Sequence, residues 1–163
     1  MAVKTVAPYK IKIHETTFMK KRSTLVLMPA LVSFLLSVTG SNAGVIHTIK
    51  MDRDFFSPAY LEAQVGDTVR FVNVRGTHNT VSISGMIPAG VSPWRSRLKA
   101  TYDLTLTKEG VYGYKCLPHF GKGMVGLIAV GKQYNNLPQA KSTKLPAKAA
   151  AVFQKLLRRV PQN

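Results

Sequence analysis

Cys116, His119 and Met124 stand at offsets of zero, three and eight in the segment Lys115-Cys116-Leu117-Pro118-His119-Phe120-Gly121-Lys122-Gly123-Met124. Thiolate, imidazole and thioether are soft or borderline donors, and on one turn-rich loop they suit copper. A type 1 site needs two imidazoles and one thiolate in a trigonal set with a weak axial thioether, so the loop is one histidine short. His78, in Gly76-Thr77-His78-Asn79-Thr80, supplies it from the end of a strand-like segment. The metal set read from the residues is therefore His78, Cys116, His119 and Met124, holding one copper ion that cycles between Cu(I) and Cu(II). Such cycling needs a geometry acceptable to both states. Pro118 removes backbone freedom between two donors, and Gly121 and Gly123 let the chain curl back to bring Met124 into the axial position. Asn79 follows the first histidine directly and is placed to hydrogen-bond across to the cysteine loop, tying the two donor segments together.

Each residue also has a plainer reading. Alone, His78 is a loop histidine, Met124 a core side chain and Cys116 a small buried hydrophobe. Cys116 is the one cysteine, so no intrachain disulfide can occupy it. His47 lies in the alternation of the first strand and reads as structural. A cysteine nucleophile with His119 as base lacks a third group or an oxyanion-hole signal. Structural zinc takes more Cys and His and rarely Met. A binuclear copper centre would need a second cysteine in the loop. An electron carrier rather than an enzyme is the reading favoured; a copper carrier or chaperone without redox cycling is the alternative that stays open.

The elements that must position these donors read as short strands. From Val45 the residues alternate two by two, and Val, Ile, Thr and Tyr recur over 59–64, 68–74, 80–84, 100–107, 111–116 and 124–130. Gly66-Asp67, Gly76, Gly85, Pro88 to Gly90 and Glu109-Gly110 punctuate them. Strands at this spacing without intervening helices indicate an all-β antiparallel sandwich or barrel. Tyr112 is placed to serve as a tyrosine corner. After Gly131 the pattern changes: Asn135-Asn136 before Leu137-Pro138 predicts a capped helix start, and a second helix begins near Pro146. In that helix Val152, Phe153, Leu156, Leu157 and Val160 share one face, which should pack on the sandwich; a membrane-surface helix is the alternative.

Residues 19–43 run from Lys20-Lys21-Arg22 through an apolar stretch to Ser41-Asn42-Ala43, the three parts of a secretory signal peptide. The apolar run, interrupted by Ser33 and Ser37, is shorter than the roughly 20 residues of a membrane span, which favours cleavage after Ala43, with a permanent anchor as the alternative. Residues 1–18 read as an upstream, non-native extension, 44–131 as the sandwich and 132–163 as a helical extension. Removing 1–43 deletes six Lys and Arg and Glu15 from a net charge of +16, leaving +11. So basic a chain favours acidic partners. Nucleic acid is the less apt partner, since no binding motif or paired aromatic platform accompanies the charge. An exported product of this form belongs in a bacterial periplasm, where an unpaired cysteine needs protection.

Several segments together resemble the cupredoxins, and among them the pseudoazurins: Ser57-Pro58-Ala59-Tyr60, Gly66-Asp67-Thr68-Val69, His78-Asn79, Met86-Ile87-Pro88, Gly110-Val111-Tyr112, Lys115-Cys116-Leu117-Pro118-His119, Gly123-Met124 and Leu127-Ile128-Ala129-Val130-Gly131. The resemblance implies an eight-stranded Greek-key β-sandwich with two C-terminal α-helices, binding one copper through His78, Cys116, His119 and Met124. It also implies a monomeric periplasmic carrier of single electrons, serving a copper nitrite reductase of denitrification or a c-type cytochrome. Two departures stand out: the segment between His47 and Pro58 is shorter than in familiar pseudoazurins, and Pro138 falls where their first C-terminal helix begins. On this reading electrons pass through the exposed edge of His119, inside an apolar patch of Met86, Pro88, Pro118 and Phe120. Lys115 and Lys122, with Lys50, Arg75, Arg95 and Arg97, would form a basic rim that steers an acidic partner.

Overall fold

β-branched and aromatic residues at two-residue spacing form eight strands in the computed structural model, which describes residues 44–161 and Lys12. The expected extension and signal peptide, Lys12 apart, lie outside the described residues. β1 (Ile46–Asp52), β2 (Phe55–Ser57), β4 (Thr68–Arg75) and β6 (Tyr102–Thr105) make one sheet in the order β2-β1-β4-β6. β3 (Tyr60–Ala63), β5 (Val81–Ser82), β7 (Gly110–Lys115) and β8 (Val125–Val130) make the other, in the order β3-β8-β7-β5. The sandwich is mixed rather than antiparallel throughout: β1 runs parallel to β4 and β3 parallel to β8. β1 and β2, and β7 and β8, pair antiparallel within one sheet, whereas from β2 to β7 each successive strand changes sheet, and parallel neighbours arise across these crossings. The three-residue β2 and its two-residue turn are too short to leave a periodic signal.

Alternation decides what each sheet buries. Ile49 and Met51 of β1, Val69 and Phe71 of β4, and Tyr112, Tyr114 and Ile128 of the second sheet meet in one core, joined by Phe56, Cys116 and Met124. Phe56 and Phe71 pack edge-on against Tyr114, with ring centroids 4.8 and 5.0 Å from it. β8 is buried at every position, as a strand covered on both faces must be. Its outer face, with Val111, is covered by α1 (Leu137–Ser142) and α2 (Ala147–Leu157), which contribute Leu137, Ala140, Ala149, Phe153, Leu156 and Leu157 to a second core. The apolar face of α2 is thus committed to the sandwich and not free to enter a lipid surface. No helix among the described residues is long and apolar enough to cross a membrane.

Local polar contacts fix the connections. The Tyr112 hydroxyl donates to Lys108 O (2.8 Å) and accepts from Lys108 N–H (3.1 Å), making the tyrosine corner. Asn136 stands at the start of α1, yet its side chain does not cap that helix. Its Oδ1 accepts from Val111 N–H at 2.9 Å and its Nδ2 donates to Val111 O at 2.8 Å, so it clips the helical tail to β7. The buried Asp67 carboxylate accepts from Val45 N–H, Gln64 N–H and His47 Nε2 at 2.8, 2.9 and 2.8 Å, joining β1 to the β3–β4 turn.

Burial alone would push the Asp67 carboxyl up, but the hydrogen bonds from Gln64, His47 and Val45 prevail and hold it below the ordinary carboxylate range. A carboxyl with a depressed folded pKa stabilises the fold above its unfolded pKa of about 3.9, and that contribution is lost as pH falls through the folded value. Asp67→Asn should cost about 1–3 kcal/mol near neutrality by denaturant unfolding, because three donors lose a charged acceptor. The variant and parent curves should converge in acid.

Candidate metal centre

The donors come from the ends of two strands and the loop that follows one of them. β4 ends at Arg75, and the chain turns through Gly76 to deliver His78; β7 ends at Lys115 and delivers Cys116. The Cys116 Sγ lies 3.7 Å from His78 Nδ1 and 3.5 Å from His119 Nδ1, and the two Nδ1 atoms are 3.1 Å apart. An ion bonded to nitrogen at about 2.0 Å and to sulfur at about 2.3 Å, with open trigonal angles, spans donor edges of about 3 to 4 Å. The triangle therefore has the size that one ion requires.

The protons are placed to match. His78 Nε2 is 2.8 Å from Arg75 O, and a carbonyl can only accept, so the ring carries its proton on Nε2. Nδ1 of the neutral ring is then a bare lone pair aimed at the sulfur and at His119. Gly76 makes this possible. Its φ is +97°, and a Cβ there would stand 2.6 Å from His78 Nε2. Cys116 is buried, and that burial pushes its thiol up, against N–H groups of Asn79 and His119 that pull it down; Asp54 adds to the upward push. A cation among the three donors reverses this balance by ligating the thiolate.

The cysteine loop is held at both ends. Cys116 N–H donates to Met124 O (3.0 Å) and Met124 N–H to His119 O (3.2 Å), so the loop closes on itself around the donors. The Met124 side chain is buried in the same core as Cys116. Gly123 adopts φ +92° and closes a 3-10 turn over Phe120–Lys122, while Gly121 has no such need. Asn79 Oδ1 accepts from Leu117 N–H at 2.9 Å and Nδ2 donates to Ser96 O at 3.3 Å, linking both donor segments to a third loop.

A family model for copper-binding proteins of the plastocyanin/azurin type matches residues 44–131. The chain belongs to the plastocyanin/azurin family. Pseudoazurin of Paracoccus pantotrophus is 46% identical over 94 residues, covering 58% of this chain and 65% of that protein. The match spans 60 to 65% of the length of the curated pseudoazurins it resembles. Two solved pseudoazurins superpose more completely: that of Methylobacterium extorquens AM1 (TM-score 0.68, 30% identity, 71% of this chain and 99% of that one) and that of Hyphomicrobium denitrificans (0.68, 33%, 72% and 100%). Copper is the cofactor of the family, and the donor triangle fits one copper ion.

The surroundings of His119 differ from those the sequence suggests. Met86 and Pro88 do not reach the surface: Met86 is fully buried in the second core, with its carbonyl accepting from Gly113 N–H (2.7 Å), and Pro88 is buried beside Gly110. Met86 shares that core with the helical tail. Phe120 is half-buried against that second core, with Lys115 Nζ over its ring at 4.4 Å. Pro118 is exposed, as is Leu117, which the sequence reading passed over. Its signal was present: in a loop whose Cys and His point inward, the two residues between them must point out. Also unanticipated is Asp54, in the turn joining β1 to β2, beside both Lys122 and His119.

Gly76→Ala should displace the His78 ring and weaken copper binding by about 10- to 100-fold, the usual cost of losing an outer partner of a metal ligand. Competition with a copper chelator measures this.

Proposed function

We propose that this chain is an exported electron carrier, with copper held by His78, Cys116, His119 and Met124 and with His119 as the electron's way in and out. The carrying observation is that Cys116 and His78 are fully enclosed, whereas the His119 side chain keeps 20% of its surface exposed. Bound copper supplies the one-electron Cu(II)/Cu(I) couple. His78 fixes its own tautomer through Arg75, and Asn79 restrains the cysteine loop, so the donors need little movement when the electron leaves. Met124, buried in the same core as Cys116, would supply the weak thioether donor that tunes the potential.

Leu117 and Pro118 are exposed between the two donors Cys116 and His119 and offer an apolar contact beside the imidazole, while Lys115 ends β7 just before the loop and Lys122 stands within it. Short-lived docking with an acidic partner suits this arrangement, because rim charges raise association rate more than affinity. The likeness to pseudoazurins supports a copper nitrite reductase as acceptor, with a c-type cytochrome as the other candidate partner, and a monomeric carrier. The signal-like segment 19–43 supports a periplasmic location, where burial and copper protect the lone thiol.

Copper-loaded protein should be intensely blue from thiolate-to-Cu(II) charge transfer, and Cys116→Ala should remove the colour. A colourless Cu(II) complex would instead indicate a copper carrier or chaperone. Met124→Gln should retain copper and lower the reduction potential. Stopped-flow transfer to an acidic partner should slow as salt rises, since the Debye length falls from about 30 Å at 0.01 M to about 10 Å at 0.1 M; a salt-independent rate excludes steering.

A further inference from the structure

β1 and β2 are joined by a two-residue turn, Arg53-Asp54, with Asp52 opposite Phe55 and Arg53 at φ 51°. So tight a turn leaves Asp54 little freedom. One carboxylate oxygen, Oδ1, lies 3.6 Å from His119 Nε2, and the other, Oδ2, lies 3.3 Å from Lys122 Nζ. The first contact is too long for a hydrogen bond and acts as electrostatics. Nδ1 of His119 faces the donor triangle, so Nε2 is the ring atom turned away from it, in a side chain that is 20% exposed. A carboxylate thus stands at the outer edge of the imidazole through which electrons would pass.

We propose that Asp54 is a tuning residue that lowers the reduction potential of the copper site through His119. This rests on the electron-carrier reading above. Oxidation adds one positive charge to the site, and part of it is felt at the ring of a ligating imidazole. A fixed anion at the outer nitrogen stabilises that state over the reduced one, and it also polarises the ring so that Nδ1 is a stronger donor. Lys122 Nζ, 3.5 Å from Oδ1 and 3.3 Å from Oδ2 of the same carboxylate, opposes the effect. Asp54 and Lys122 are 51% and 60% exposed, so solvent ions screen both. The turn sets the distance and the lysine sets how much of the charge is felt.

The test is potentiometric titration of the full copper-loaded chain against a redox mediator, at low ionic strength and again in about 1 M salt, where the Debye length is about 3 Å. Asp54→Asn should shift the exchange equilibrium at least threefold toward the reduced protein, about 28 mV at 59 mV per tenfold for a one-electron couple. Lys122→Gln should shift it the other way. Both shifts should shrink in high salt while the visible band stays in place. An unshifted Asp54→Asn potential overturns the proposal, as does a shift that high salt leaves intact, which would mean displaced ligands rather than a lost charge. A blue parent with an unshifted variant sinks this inference alone, whereas a parent that is not blue sinks the electron-carrier reading itself.

Discussion

The hydrogen bond from His78 Nε2 to the Arg75 carbonyl decides where one proton sits, and the rest of the centre depends on it. With that proton turned outward, His78 presents a lone pair to Cys116 and His119; with it turned inward, the Nδ1 contact of 3.1 Å between the rings would become an ordinary hydrogen bond and no cation could enter. The bond in turn requires β4 to end at Arg75, a left-handed glycine to follow, and β4 and β7 to lie in facing sheets so that their ends meet. Strand pairing, turn conformation and tautomer form one chain of causes. The sandwich supplies stiffness, since interiors packed like crystals move little when charge changes within them.

The division of the molecule into two cores follows from the same demand. Cys116 continues the inward side of β7, after Tyr112 and Tyr114, so the metal centre is an extension of the inter-sheet core. Val111, Val125, Leu127 and Ala129 face the other way and need a second cover, which α1 and α2 supply. Asn136 illustrates how the cover is fastened, spending its amide on the backbone of Val111 rather than on its own helix.

The donor triangle was legible because chemistry limits the choices: one thiol, few histidines and a strand pattern that could bring them together. The strands of β4, β7 and β8 were legible for a related reason, since runs rich in Val, Ile, Thr and Tyr between turn residues are hard to read otherwise. What escaped was short or context-bound. β2 has three residues, too few for a period. Met86 and Pro88 read as surface residues because nothing local tells a residue beneath a helix from one beside a loop; only the path of the distant tail decides. Asp54 was invisible because its neighbour in space, His119, lies 65 positions away, and a shortened hairpin announces only that a turn is tight, not what the turn touches.

Gly123 lies against the backbone of Lys148, so close that a Cβ there would stand 3.3 Å from that carbonyl oxygen. The first turn of α2 therefore abuts the loop that carries His119 and Met124. For the electron carrier proposed, the reorganisation energy, the work of adjusting ligands to a new charge, would be partly a property of a helix that supplies no ligand. Divergence in that helix would alter the speed of exchange while leaving the donor set untouched, so two relatives with identical ligands need not be kinetically alike.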